Sequence, residues 1–143
     1  MMYLTPGGVS DAGPGSDTTH IDDPCHGGTV IGGPGKDGTV FAGSDYGVKA
    51  SLKSGYAKWV AHPCPSPITL KDDLEGLEGS RHNDILIASG NGKTSLLGRD
   101  GSDVFYAKNG VKDVVTTGGG GRSNKVYADK ADKVIWGWGL AAY

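Results

Sequence analysis

Apolar residues in the second half of the chain come in short runs, on a beat of about nine. Between Glu78 and Val134 they fall at Leu86, Leu96, Phe105, Val115, Val126 and Val134, at intervals of ten, nine, ten, eleven and eight residues. Two positions before each stands a polar residue that closes a glycine-rich turn: Asp84, Thr94, Asp103, Asp113, Asn124 and Asp132. Strand side chains alternate between faces, so the middle residue of a three-residue strand points inward. A unit this short cannot bury its own apolar residue, so successive units must stack on one another. Two half-coils then make one coil, and turns on the same side recur about every eighteen residues. The spacing therefore places Asp84, Asp103 and Asn124 on one side, and Thr94, Asp113 and Asp132 on the other. The six apolar residues are predicted to be buried as the two inner faces of a flattened coil.

The turn chemistry adds a second layer. Glycine tolerates positive φ and lets carbonyls turn inward. An Asp at the turn's end supplies a hard oxygen of the kind Ca²⁺ gathers, about six to eight at a time with carbonyls included. The unit matches the nonapeptide β-helix pattern G-G-x-G-x-D-x-U-x. Its clearest copies are Gly98-Arg-Asp-Gly101-Ser-Asp103-Val-Phe105, Gly79-Ser-Arg-His-Asn-Asp84-Ile-Leu86 and Ser89-Gly-Asn-Gly-Lys-Thr94-Ser-Leu96. Asn109-Gly-Val-Lys-Asp113-Val-Val and the stretch from Val126 to Val134 are similar to degenerate closing repeats of such arrays in secreted bacterial proteins. On these residues about half the chain resembles the RTX (repeats-in-toxin, hemolysin-type calcium-binding) β-roll family. The resemblance implies a right-handed parallel β-roll whose turns bind calcium and are ordered by it outside the cell. The positions matching the family's metal turns are Gly79, Asp84, Gly98, Gly101, Asp103, Asp113, Asn124 and Asp132, with Gly32 and Asp37 earlier in the chain. The best site is expected between the turns ending at Asp84 and Asp103. The sequence departs from the pattern where Thr94 and Asn124 replace Asp, and where His82, Val111 and Arg122 stand in glycine positions. Each departure removes a ligand or strains a turn, so fewer sites than turns are expected.

The first half is less regular. Residues 1–24 are rich in Gly, Pro, Ser, Thr and Asp, a linker-like composition. Yet Gly13-Pro-Gly-Ser-Asp17 partly matches the turn, and Gly32-Gly-Pro-Gly-Lys-Asp37 matches it fully between the strand-like Thr29–Ile31 and Thr39–Phe41. Asp17 and Asp37 are twenty residues apart, close to one coil, so the solenoid is expected to start early. For Asp17 a coil turn and a plain glycine-rich turn both stand. Val48–Lys53 and Tyr56–Ala61 alternate around Ser54-Gly55 and read as a hairpin or two longer strands. Pro63-Cys-Pro-Ser-Pro67 then breaks the structure. This predicts an irregular region at 1–69, with possible early coils and a hairpin cap built from Tyr56, Trp59 and the cysteines, followed by a β-roll at 70–143. Trp136 and Trp138 leave the repeat and are expected to cover the last coil or pack on a neighbouring molecule.

Composition narrows the function classes. The chain has 26 glycines in 143 residues, where an average of about 7% would give about ten. No period of three suggests collagen, and no apolar run is long enough for a membrane-spanning helix. The net charge of −2 gives no basic field for nucleic acid. Lysines late in the chain alternate with acids, as on solvated surfaces. Cys25 and Cys64 form no C-x-x-C; one disulfide in an oxidising compartment fits them, and two free thiols remain the other reading. The opening Met-Met-Tyr-Leu shows no basic and apolar leader regions, so secretion would use a removed leader, a fragment boundary or a leaderless route. No H-E-x-x-H, G-x-S-x-G or complete phosphate loop is present, and adjacent acids such as Asp22-Asp23 point to opposite strand faces. The expectation is a non-enzymatic, calcium-binding structural or interaction module, secreted or cell-surface, with homo-association through solenoid ends or Trp136/Trp138 among its partners. Two other readings stand beside it: an accessory solenoid of a carbohydrate-active enzyme, and a self-associating extracellular fibre subunit.

Overall fold

The structure is a computed structural model that describes residues 2–71, 73–89, 92–119 and 124–136. It is all-β, and no helix occurs among these residues. The first eight strands are β1 (Met2–Tyr3), β2 (Val9–Asp11), β3 (Thr18–His20), β4 (Thr29–Ile31), β5 (Gly38–Val40), β6 (Val48–Ser51), β7 (Tyr56–Trp59) and β8 (Ile68–Leu70). The remainder are β9 (Gly76–Glu78), β10 (Ile85–Ile87), β11 (Ser95–Leu97), β12 (Val104–Ala107), β13 (Val114–Thr116), β14 (Lys125–Ala128) and β15 (Lys133–Ile135). They form a β-solenoid of about six turns with two facing sheets. The first sheet has seven parallel strands in the order β1-β3-β5-β9-β11-β13-β15; the second has eight, in the order β14-β12-β10-β6-β7-β8-β4-β2.

The core is two rows of inward residues. On the first sheet Thr19, Thr39, Leu77, Leu96, Val115 and Val134 lie in one continuous register. On the second, Ala50, Leu86, Phe105 and Val126 align, as do Ser10, Val30 and Leu70. Leu86, Leu96, Phe105 and Val115 are fully buried, as the nine-residue beat requires. Val126 and Val134 are only half-buried, against the expectation for all six. They sit on β14 and β15, the last strands of their sheets, so no further coil covers them among the described residues. At the other end the inward positions turn polar. Ser10 Oγ and Thr19 Oγ1 face each other at 3.3 Å across the core.

The predicted hairpin forms, but not as an end cap. β6 and β7 pair antiparallel, β7 pairs antiparallel with β8, and β8 returns parallel to β4. This meander is spliced into the middle of the second sheet, because β6 also pairs parallel with β10. Meanwhile β5 pairs directly with β9 across the expected division near residue 70. The Cys25–Cys64 disulfide ties the turn after β3 to the long connection between β7 and β8. Beside it the Trp59 N–H approaches Cys25 Sγ, and Tyr46 stacks on His62 while meeting Trp59 edge-on. Trp136 is 57% exposed among the described residues, and Trp138 lies outside them.

Candidate functional site

The turns stack into two columns, one along each edge of the flattened coil, and the residues closing them are joined by hydrogen bonds. In the first column Asp84 Oδ1 accepts from the Val48 N–H at 2.8 Å, and Asp103 Oδ1 accepts from the Asp84 N–H at 2.7 Å. Asn124 Oδ1 continues it, accepting from the Asp103 N–H at 2.6 Å. In the second column Asp113 Oδ1 accepts from the Thr94 N–H and Asp132 Oδ1 from the Asp113 N–H, both at 2.7 Å. Each acid thus caps the amide at the equivalent point of the preceding coil. The two sets of three are those that the eighteen-residue spacing predicts.

The turn glycines make room for these carboxylates. A Cβ added at Gly79 would lie 2.5 Å from Asp84 Oδ2, and one at Gly98 would lie 2.6 Å from Asp103 Oδ2. At Gly32 it would meet Asp37 Oδ2 at 3.1 Å. The five-residue interval from glycine to acid therefore has a steric cause: the carboxylate folds back over the backbone that opens its own turn. Gly101 serves a different end. Its φ of +93° suits glycine, and a Cβ there would meet His82 O of the coil below at 2.5 Å. In the same turn Arg99 takes a left-handed φ of 67° and pairs with Glu78.

The carboxylates differ in what reaches their second oxygen. Asp84 is saturated: Oδ1 also accepts from Ser80 Oγ at 2.7 Å, and Oδ2 from the Ser80 N–H at 2.9 Å. Asp17, Asp37, Asp103 and Asp113 each keep a buried Oδ2 with no hydrogen-bond partner. Burial disfavours the charged form, and at Asp84, Asp103 and Asp113 it outweighs the hydrogen bonds the carboxylates accept. It pushes the Asp84 and Asp113 carboxyls above the ordinary range and Asp103 up to about 8. For Asp103 the Asp84 N–H opposes this, and the charges of Asp84 and Asp100 reinforce it.

Two adjacent turns that the sequence treats unequally prove to be the best-matched pair. Gly13 and Gly15 have φ of 74° and 108°, and Gly33 and Gly35 have 80° and 112°. The Gly13–Asp17 and Gly32–Asp37 turns stack one on the other, with Asp37 Oδ1 accepting from the Asp17 N–H at 2.9 Å. Both acids carry a partnerless Oδ2. Two residues outside the sequence-predicted set complete the surroundings. Asp73 accepts from the N–H groups of Gly32 and Gly33 at 2.9 and 2.8 Å, and Glu75 Oε2 accepts from the Asp37 N–H at 2.9 Å. Asp129 caps the Asn109 and Gly110 amides in the same way at the other end.

Among the described residues no three His, Cys, Asp or Glu side chains converge at metal-binding distance. The buried carboxylate oxygens left without a hydrogen-bond partner are the Oδ2 atoms of Asp17, Asp37, Asp103 and Asp113. No protein-family model matches the chain, and no curated protein matches it.

Proposed function

We propose that this chain is a calcium-ordered β-solenoid, a structural and interaction module of a secreted or cell-surface protein. The observation that carries the reading is the set of four buried, partnerless carboxylate oxygens at the turns ending in Asp17, Asp37, Asp103 and Asp113. A buried carboxylate oxygen with no donor is met by a proton or by a cation. Oxygen is the donor that Ca²⁺ prefers, and backbone carbonyls complete its shell where carboxylates are few. Asp17 and Asp37 form the first candidate site and Asp103 the second. Asp84 contributes least, because Val48 and Ser80 already occupy both its oxygens. The disulfide supports an oxidising compartment, where calcium is abundant. Affinities on the order of 10⁻⁴–10⁻³ M, typical of extracellular modules, suit turns with so few carboxylates.

One competing reading has its own support. The hydrogen-bond columns satisfy every coil-closing amide named above without metal, so a solenoid with protonated turn acids is self-consistent. Calcium calorimetry separates the two. The proposal expects binding to the wild type and a lower stoichiometry for Asp37→Asn and for Asp103→Asn. No calcium heat above that of Mg²⁺ leaves the protonated solenoid as the correct account.

A further inference from the structure

We infer that the outer face of the second sheet binds an acidic polysaccharide. The strand registers place its outward positions in two rows across five strands. One row runs Lys58, Lys49, Ile85, Val104, Lys125, and the next runs Tyr56, Ser51, Ile87, Tyr106, Tyr127, of which Ser51 is buried. No carboxylate stands in either row, on a chain whose net charge is −2. The outer face of the first sheet differs: over its last five strands its rows carry Glu78 and a single lysine, Lys133. The acids of this protein are spent at the turns, and this sheet face is left basic.

A groove of about 480 Å³ crosses the middle of the face. Ile85 and Ile87 of β10 form its floor, Lys49 and Lys53 stand on the β6 side, and Tyr106 and Lys108 on the β12 side. Its walls are two strand spacings apart, about 10 Å between backbones. Tyr106 and Tyr127 are stacked with centroids 5.1 Å apart and planes 7° from parallel. Each ring therefore covers one face of the other, and Tyr106 has one face left towards the groove. A pyranose offers a C–H surface to such a ring, and its carboxylate or sulfate reaches the flanking ammonium groups.

The chemistry favours a glycan over single-stranded nucleic acid. Nucleic-acid grooves stack successive bases and track a dense polyphosphate, commonly with arginine. This groove has one open ring face and no arginine among its lining residues.

The test is binding of short hyaluronan and heparin oligosaccharides to the full chain held in calcium, with dextran as the neutral control and oligothymidylate as the other polymer. Both acidic glycans should bind and dextran should not. Lys49→Glu with Lys53→Glu should weaken binding about tenfold at low salt, and less at high salt because screening already suppresses that attraction. Lys108→Glu is a second, independent variant expected to act in the same direction. Tyr106→Ala should cost about fivefold at both salts, since ring contact is not screened. Lys133→Glu, on the opposite sheet, should change nothing. The inference is overturned if acidic glycans bind no better than dextran, if the lysine variants bind as the wild type does, or if oligothymidylate binds more tightly than either glycan. It does not rest on the calcium reading, because it needs only the fold.

Discussion

Replacing Asp103 by Asn isolates the energetics of the turn columns. In the wild type Asp103 is fully buried, one oxygen caps the Asp84 amide, and the other has no donor. Burial raises its carboxyl from the ordinary carboxylate range to about 8. A group whose folded pKa is raised stabilises most below its unfolded pKa and loses that contribution as pH rises toward the folded value. Between those limits the folded state holds a proton that the unfolded state has lost, so stability falls by about 1.4 kcal/mol per pH unit. From about pH 5 to pH 7 Asp103 alone should therefore remove about 3 kcal/mol from the metal-free protein. Asp84 and Asp113 are shifted the same way and add to the slope. Asparagine keeps the accepting oxygen and cannot ionise, and Asn124 already does this work one coil away. Urea unfolding in chelator at both pH values, followed by circular dichroism, should show the variant losing about 3 kcal/mol less than the wild type over this interval. Parallel pH dependences for the two proteins would refute the reasoning.

Three further outcomes follow from the packing. Gly98→Ala should destabilise by about 1–3 kcal/mol, because the new methyl meets Asp103 Oδ2 and Phe105 at 2.6 Å and Thr117 O at 2.7 Å; a thermal melt that matches the wild type would remove the steric reason for that glycine. Phe105→Ala should cost about 3–5 kcal/mol, and Val126→Ala should cost less than Val115→Ala, because Val115 is fully buried and Val126 lies half-buried on the outermost strand β14; equal losses for the two valines by urea unfolding would contradict the end-strand assignment. Reducing Cys25–Cys64, with a sequence separation of 39, should cost about 4 kcal/mol by chain entropy, read as a lower urea midpoint.

The regular half of the fold was legible because each coil repeats one simple arrangement of glycine, acid and apolar residue. Leu86, Leu96, Phe105 and Val115 are buried where the beat puts them, and the acids sort into the two columns that their spacing implies. The first coils were harder to read because their inward residues are Ser10, Thr19 and Thr39, which carry no hydrophobic signal. The hairpin was visible from its alternation, but a local pattern cannot say which strand it joins. Its strands entered the interior of a sheet because β6 reaches ahead to β10. That same insertion hid Asp73 and Glu75. They serve Gly32, Gly33 and Asp37 from about forty residues away, a distance that no nine-residue count connects. The saturated state of Asp84 was hidden too, since it depends on Ser80 folding back within the turn.

The central claim is that calcium stands in for the protons that these buried acids otherwise need. Its most direct test is the urea midpoint at about pH 7.5 in about 10 mM calcium, against chelator with matched magnesium. Two sites, each with calcium at about ten times its dissociation constant, would add about 3 kcal/mol by mass action. The account predicts that increment with calcium and little with magnesium, because magnesium resists the irregular carbonyl-rich coordination that these turns offer. An unchanged midpoint in calcium would contradict it and leave a metal-free solenoid held by its Leu, Val and Phe core.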